Sequence, residues 1–347
     1  MTNIQNMNLT ELEDFILSLG DAKFRAKQIY SWLSKGASYE DMSNIPKSLK
    51  QKLQAQSPLY HIKAKKVQIS VDGTRKYLFE LADGYTVESV FMTYEHGTTV
   101  CVSSQVGCKM GCVFCATGSH GFIRNLEPYE MIEQLIQISL DTDKRIDGFV
   151  IMGMGEPLDN YDNIIKFLHL ASDPLYLGIG MRHISLSTCG IVPKIYELAK
   201  EKMQLTLSVS LHCPENERRS ELMPINKAYP LPELIKACKS YVKQTGRRIS
   251  FEYALIHRKS DSFDDADKLI KLLSGLLCHV NLIMLNEVEG KSFTSADKKS
   301  AYAFCKRLCD GGINATIRRR LGADIDAACG QLYEKSKNLK EQVNDEK

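Results

Sequence analysis

The chain has 347 residues, 44% hydrophobic and 25% charged, ordinary values for a folded water-soluble protein. A net charge of +3 is too small to argue by itself for a nucleic-acid partner. No apolar run reaches the roughly 18 residues of a membrane span, and the N-terminus lacks the basic-then-apolar order of a secretory signal. A cytoplasmic setting with no membrane partner is therefore expected. There the 11 cysteines point to metal binding, catalysis or burial rather than a disulfide framework.

Residues from about 8 to 56 read as helices. Leu9, Leu12, Phe15, Ile16 and Leu19 keep helical spacing, and Gly20 suits a C-terminal stop. Phe24, Ile29, Trp32 and Leu33 continue in a second helix, and Pro46 suits the start of a third. From about 65 to 103 the period changes to two: Val67 and Ile69, then Tyr77, Phe79 and Leu81, then Val87, Ser89 and Phe91. Asp72-Gly73 and Asp83-Gly84 between these runs are hairpin signals. Residues 1–93 thus read as a helical accessory module followed by a small antiparallel sheet.

From about 104 the pattern alternates. Apolar strand-like runs at 148–154, 183–188, 205–212, 248–256 and 279–285 are separated by helical stretches, among them 128–140, 161–171, 192–200 and 232–244. Five such strands, with one more near 101 or 316, predict an α/β core over 94–333 built as a partial barrel. Its chemistry belongs at the C-terminal ends of the strands. Residues 334–347 read as a frayed polar tail.

The most informative segment is Cys108-Lys-Met-Gly-Cys112-Val-Phe-Cys115. Thiolates bind soft metals and iron–sulfur clusters. With 11 cysteines in the chain, two more at fixed offsets would arise by chance in about one such chain in a hundred. A zinc site is the alternative, but zinc sites favour paired CxxC units and four ligands. Here only three cysteines are close together, with His120 beyond a glycine turn. Three ligands on a four-iron cube leave one iron open, as a catalytic metal site requires. The CxxxCxxC spacing resembles the signature of the radical S-adenosylmethionine superfamily. That resemblance implies one [4Fe-4S] cluster whose open iron chelates S-adenosylmethionine and cleaves it to a 5′-deoxyadenosyl radical.

Gly153-Met-Gly155-Glu156-Pro157 follows the first core strand. Its glycines allow close backbone approach, and Glu156 can accept hydrogen bonds. The alternative is an ordinary strand-to-helix turn, but the run resembles the superfamily's GGEP element. Ser187-Thr188, Ser210-Leu211-His212 and Asn286 stand at further strand ends. Each alone reads as a capped strand end. Together they offer hydrogen-bonding groups at one barrel mouth.

Closer matches run along the chain: Cys101-Val-Ser-Ser-Gln-Val-Gly-Cys108, Gly121-Phe-Ile-Arg-Asn-Leu126, Arg218-Arg219-Ser-Glu-Leu-Met-Pro-Ile-Asn226 and Arg318-Arg-Arg-Leu-Gly-Ala-Asp-Ile-Asp-Ala-Ala-Cys329-Gly-Gln-Leu332. This series resembles the RlmN/Cfr family of RNA adenine methyltransferases over most of the chain. The resemblance implies that Cys329 is methylated by one S-adenosylmethionine while a second supplies the radical, so that two are consumed per methylation. It implies that Cys101 resolves the protein–RNA thioether through a transient disulfide, and that Glu88 is the general base. It assigns Gly155, Glu156, Ser187, Ser210, Leu211, His212 and Asn286 to S-adenosylmethionine. Read from the residues alone, Cys329 is a small buried hydrophobe and Glu88 a solvent-facing strand residue.

Two activities live on this scaffold. One is methylation of carbon 2 of a peptidyl-transferase-centre adenosine in 23S rRNA and of the adenosine beside the anticodon in tRNAs. The other is Cfr-type methylation of carbon 8 of the same rRNA adenosine. Pro157 after Glu156, and the run after Asn286, resemble the RlmN-type branch, whereas Cfr-type chains more often carry Ala after the Glu. Met284-Leu285 departs from the family's usual Ile-Pro. The implied partners are 23S rRNA, tRNA and an electron donor such as flavodoxin or ferredoxin. Arg124, Arg218, Arg219 and Arg318 to Arg320 are candidate phosphate contacts, the alternative being a solvated face. A non-catalytic metal-containing RNA-binding module is the reading from a different class, and it would leave Cys101 and Cys329 without a purpose.

Overall fold

The computed structural model describes residues 2–95, 97–119, 121–286 and 293–332. His120, most of the run after Asn286 and the tail expected at 334–347 lie outside the described residues. The chain opens with α1 (Leu9–Ser18), α2 (Phe24–Leu33) and α3 (Lys47–Gln56). Asn8 caps α1 with a capping box through Glu11. Gly20 ends it at φ +73°, the left-handed conformation a helix stop favours. Pro46 stands at the N-cap of α3, one residue outside the helix.

The strands β1 (Lys63–Ile69), β2 (Arg75–Glu80), β3 (Thr86–Tyr94) and β4 (Gly97–Cys101) follow as an antiparallel meander. Both Asp-Gly pairs make its turns, with Gly73 and Gly84 near φ +84°. The meander is not a separate sheet. β4 also pairs in parallel with β7 (Gly148–Ile151), and β8 (Ile184–Thr188), β9 (Thr206–Ser210), β10 (Ile249–Leu255), β11 (Cys278–Met284) and β12 (Ala315–Ile317) continue in parallel. One ten-stranded sheet in the order β1-β2-β3-β4-β7-β8-β9-β10-β11-β12 results. Both expected positions for a sixth core strand, near 101 and near 316, are therefore occupied.

Crossovers carry α4 (Pro128–Thr142), α5 (Tyr161–Ser172), α6 (Val192–Lys200), α7 (Asn216–Leu222) with α8 (Leu231–Thr245), α9 (Phe263–Leu273) and α10 (Lys298–Asp310). A small separate hairpin, β5 (Gln105–Gly107) with β6 (Phe122–Asn125), lies in the β4–β7 crossover and closes the cysteine loop. One apolar core runs from the N-terminal helices through the barrel, and a smaller cluster around Cys108, Met110, Met223 and Leu285 lines the mouth.

The alternation read in the meander holds for β2 and β3, yet both of their faces are buried. Tyr77 and Ser89 face α4, bonding Asp141 and Gln134. The opposite face, with Lys76 and Glu88, lies under the chain's C-terminal segment, where Lys76 bonds the Asp326 carbonyl. Val67 and Ile69 are instead exposed, at 39% and 61%, because β1 is the sheet edge with no layer over it.

Gln134 ties α4 to the end of β4. Its Oε1 accepts from Ser89 Oγ at 2.6 Å and Ser103 N at 2.8 Å, and its Nε2 donates to the Ser103 carbonyl at 3.1 Å. Gln134→Ala would leave these fully buried partners unpaired. The expected cost is about 3 kcal/mol, read as a lower urea midpoint at unchanged slope.

Candidate active site

Each parallel strand ends at the same side of the sheet, and the residues just past those ends form the walls of one cavity of about 170 Å3. Cys108, Cys112 and Cys115 stand on one side of it, with Gly153, Gly155 and Glu156 after β7. Ser187 to Cys189 close β8, Ser210 and His212 flank the end of β9, and Asn286 follows β11. Arg318 after β12 and Cys329 complete the wall. Leu211 alone of the expected binding residues is not in it. Its side chain is sealed in the core, while its N–H donates to the Glu252 carbonyl and its own carbonyl accepts from Arg219.

The cysteine loop is fixed from both ends. Cys108 N donates to the Gly121 carbonyl at 2.7 Å, Val113 N to Leu222 at 3.1 Å and Ala116 N to Gly330 at 2.8 Å. Gly107 sits at φ +76°, and a Cβ there would stand 2.1 Å from the Gly121 carbonyl oxygen, so the hairpin admits only glycine. Burial pushes the Cys108 thiol up to about 12, and Cys112 rises further, also raised by its neighbours Cys115 and Cys108. Among the described residues no three donors are drawn tightly enough around one point to hold a single metal ion. A four-iron cube asks for something else, since each thiolate binds its own iron. Three cysteines in one cavity wall, with no fourth in the loop, fit such a cluster.

Glu156 is buried, and burial raises its carboxyl despite hydrogen bonds that favour the charged form. Its Oε2 accepts from Cys189 N at 2.7 Å and its Oε1 from Leu158 N at 3.0 Å. Gly155 holds φ +104° against Gln105 and Ser104, where a Cβ would come within 2.6 Å of the Gln105 side chain. Asn286 donates to the Cys329 carbonyl at 3.1 Å, but its buried Oδ1 has no partner among the described residues. Glu252 Oε2 likewise accepts no hydrogen bond among the described residues, the Arg318 guanidinium standing 3.9 Å away, and Glu252 also lines the cavity. Two unsatisfied acceptors in one wall fit a ligand rich in hydroxyl and amino donors.

His212 adopts φ +56°. Its Nδ1 accepts from Ala254 N at 3.0 Å, so Nε2 carries the proton, and its ring meets Phe114 of the cysteine loop edge-on at 4.8 Å. Arg219 is 1% exposed. It donates to the carbonyls of Cys189, Ser210 and Leu211 and to Asn226 Oδ1. It is a strut between the ends of β8 and β9, and its expected phosphate contact is corrected. Arg218 is held by Glu215 and Asp265, and Arg124 by Asp83 and Glu130. Arg319 and Arg320 are exposed.

A second cavity adjoins the first. Cys101, Val90, Met92 and Tyr94 line it, and it shares Met152, Ile283, Asn286, Arg318 and Cys329 with its neighbour. Burial pushes the Cys101 thiol up to about 12, with Cys329 raising it further and Arg318 opposing. Both thiols are free. Glu88 lies on the face of β3 that carries Val90 and Met92 and forms a buried ion pair with Lys76 at 3.3 Å. The reading of Glu88 as solvent-facing is thereby overturned.

Sequence reasoning missed Glu252, Cys189 and Phe114 as walls and Lys76 as a partner of Glu88, whereas Thr188 stands in the wall as its strand-end position suggested. Glu252 does have a signal, a carboxylate inside the apolar strand Phe251-Glu-Tyr253.

The comparisons with known proteins agree with this geometry. Residues 102–273 match the Radical SAM superfamily profile. Residues 2–58 match that of the ribosomal RNA large subunit methyltransferase N-terminal domain. Proteins described as probable dual-specificity RNA methyltransferase RlmN from Clostridium novyi and Clostridioides difficile are 50% and 48% identical, over 96% of this chain and 98% of theirs. The crystal structure of a radical SAM methyltransferase from Sphaerobacter thermophilus superimposes with a TM-score of 0.92 at 41% identity, covering 96% of this chain and 99% of that one.

Burial, with Arg219 second, pushes the His212 imidazole down from 6.5 to about 3. An unfolded chain takes that proton near 6.5, the folded one does not. The contribution to stability is therefore complete above 6.5 and is lost as pH falls below it. Melting temperature should drop as pH falls from 6.5 toward about 5, and His212→Gln should remove part of that slope. An identical slope in the variant would refute this assignment.

Proposed function

We propose, from the premise that the chain belongs to the radical SAM superfamily and within it to the RlmN family of RNA methyltransferases, that it methylates carbon 2 of adenosine. The targets are the peptidyl-transferase-centre adenosine of 23S rRNA and the anticodon-adjacent adenosine of tRNAs. The observation that carries this reading is the position of Cys329, which lines the cofactor cavity on one side and the Cys101 cavity on the other.

Carbon 2 of adenine is electron-poor and bears no acidic proton, so polar methyl transfer does not reach it. When bound through Cys108, Cys112 and Cys115, the cluster with S-adenosylmethionine supplies a 5′-deoxyadenosyl radical. Gly155, Glu156, Ser187, Ser210, His212 and Asn286 would orient that nucleoside, with Asn286 Oδ1 and Glu252 Oε2 as open acceptors. Leu211 has no free group for this.

Cys329 plays the carrier. Its thiolate forms a bond to the sulfonium methyl as the old sulfur–carbon bond breaks, releasing S-adenosylhomocysteine. A second S-adenosylmethionine serves as radical source, hence two per methylation. The Cys329 S-methyl group would give up a hydrogen atom to the 5′-deoxyadenosyl radical, and the S-methylene carbon would join the ring. Glu88 then takes the ring proton as the adduct's unpaired electron returns to the electron donor that supplied it. Cys101 then attacks the Cys329 sulfur. The carbon leaves with the bonding electrons and gains a proton to become the methyl group, and a Cys101–Cys329 disulfide remains for reduction. A flavodoxin or ferredoxin in the cytoplasm is the proposed electron source. No helix among the described residues is long and apolar enough to cross a membrane.

Anaerobically purified protein should be brown and should form 5′-deoxyadenosine from S-adenosylmethionine, whereas a colourless zinc protein would refute the reading. Mass spectrometry of rRNA from cells with and without the gene should locate the methyl on carbon 2, and a carbon 8 product would assign the Cfr-type activity. Cys329→Ala should abolish RNA methylation and leave the cluster absorbance intact.

A further inference from the structure

Lys76 takes no part in the steps above. It is 7% exposed, on the interior strand β2. Its ammonium stands 3.3 Å from Glu88 Oε1 and 3.3 Å from the Asp326 carbonyl oxygen. A buried lysine is costly to desolvate, and a buried ion pair is weak evidence of stability, since an apolar pair often serves as well. What the pair does for its neighbours is the better question.

The register answers it. Lys76 pairs across with Val90, and Val90 pairs across with Cys101. Cross-strand partners share a face, and so do residues two apart on one strand. Lys76, Glu88, Val90 and Cys101 therefore lie on one face of three adjacent strands, and the segment bearing Cys329 covers that face. Two residues, Ala327 and Ala328, separate Asp326, which Lys76 holds, from Cys329. Glu88 is fixed from behind as well. Ser103 Oγ donates to its carbonyl at 2.5 Å.

The geometry points to Lys76 as a positioning residue for removal of the ring proton: it keeps Glu88 ionised and aimed, and sets the distance from that base to the Cys329 segment. The inference rests on Glu88 being the base. Glu88 accepts the proton from ring carbon 2, the carbon–hydrogen electron pair stays with the ring, and the adduct's unpaired electron leaves to the electron donor. Lys76 transfers nothing and keeps its bond to Asp326 while the carboxylate is neutral. Among the described residues, the cavity bordering this face also carries the titratable or charged groups Cys101 from β4, Tyr94 from β3, Arg318 after β12 and Cys329, and the Asp326 carboxylate of the covering segment accepts from Gln331 at 3.3 Å.

The test uses the cluster-loaded full chain as wild type, Lys76→Met, Lys76→Arg and Glu88→Gln. Two quantities are measured: S-methylation of Cys329 by intact mass, and the rate of methylated-RNA release against pH. Lys76→Met should methylate Cys329 like wild type but release product about tenfold more slowly at neutral pH. Its acid limb should move up by about one pH unit, since an opposite charge at this range favours the ionised carboxylate by at least that much. Lys76→Arg should restore most of the rate. An unmoved acid limb in Lys76→Met would overturn the proposal. So would loss of cluster loading or of Cys329 methylation in that variant, which would make Lys76 a structural residue. Wild-type release by Glu88→Gln would instead remove the base assignment itself. Slow release by Glu88→Gln with a wild-type profile for Lys76→Met would remove only the role of Lys76.

Discussion

The site depends on the double pairing of β4. One edge of this five-residue strand bonds antiparallel to β3 and the other parallel to β7. The strand thus fuses a meander to a barrel, and its last residue is Cys101. Whatever the meander carries on its covered face is thereby delivered to the mouth of the barrel. Just beyond β4, the hydroxyl of Ser103 donates to the Glu88 carbonyl and accepts from Met154 N at 2.8 Å. One side chain thus joins β3, β4 and the turn that leads into Gly155-Glu156. Displacing β4 would separate Cys101 from Cys329 and Glu156 from the cysteine loop together.

Rigidity around the cofactor cavity comes from buried polar struts rather than from apolar packing alone. Arg219 satisfies four acceptors at the ends of β8 and β9. Asn160 donates to the carbonyls of Ser104 and Leu126, holding the start of α5 to the loop after β4. Removing one partner from such a network leaves the others buried and unpaired, which costs more than the bond itself gained. Against this satisfied background Asn286 Oδ1 and Glu252 Oε2 stand out as buried acceptors without a hydrogen bond among the described residues, and both residues line the cavity.

Much of this was legible in the sequence for physical reasons. Amphipathic helices such as the 15-residue α8 keep a strong 3.6-residue period, and the β10 run is mostly apolar because both of its faces are buried. The cysteine spacing is local, so it could be read without the fold. What stayed hidden is whatever depends on a distant partner. Arginine codes equally for a phosphate contact and for a strut, and only the carbonyls around Arg219 decide between them. Lys76 and Glu88 look like outward residues of an alternating strand until the C-terminal segment covers them. The β5–β6 hairpin, three residues against four, is too short to show a period.

The C-terminal segment is held differently from the barrel it covers. Its ties are single bonds to other elements: Gly322 N to Asp72, Asp324 to Ser70 and Val71, the Asp326 carbonyl to Lys76, the Cys329 carbonyl to Asn286, and the Gly330 and Leu332 carbonyls to Ala116 and Thr117. No ladder repeats among them, so each can be broken at roughly 1 kcal/mol without unravelling the next. Such an attachment suits the proposed mechanism, in which the Cys329 sulfur would meet three partners in turn: a sulfonium methyl, an adenine carbon and the Cys101 thiol. A strand-borne cysteine would be fixed for one of these and misplaced for the others. Cys101, which would meet only one partner in that mechanism, is the one placed at the end of a strand.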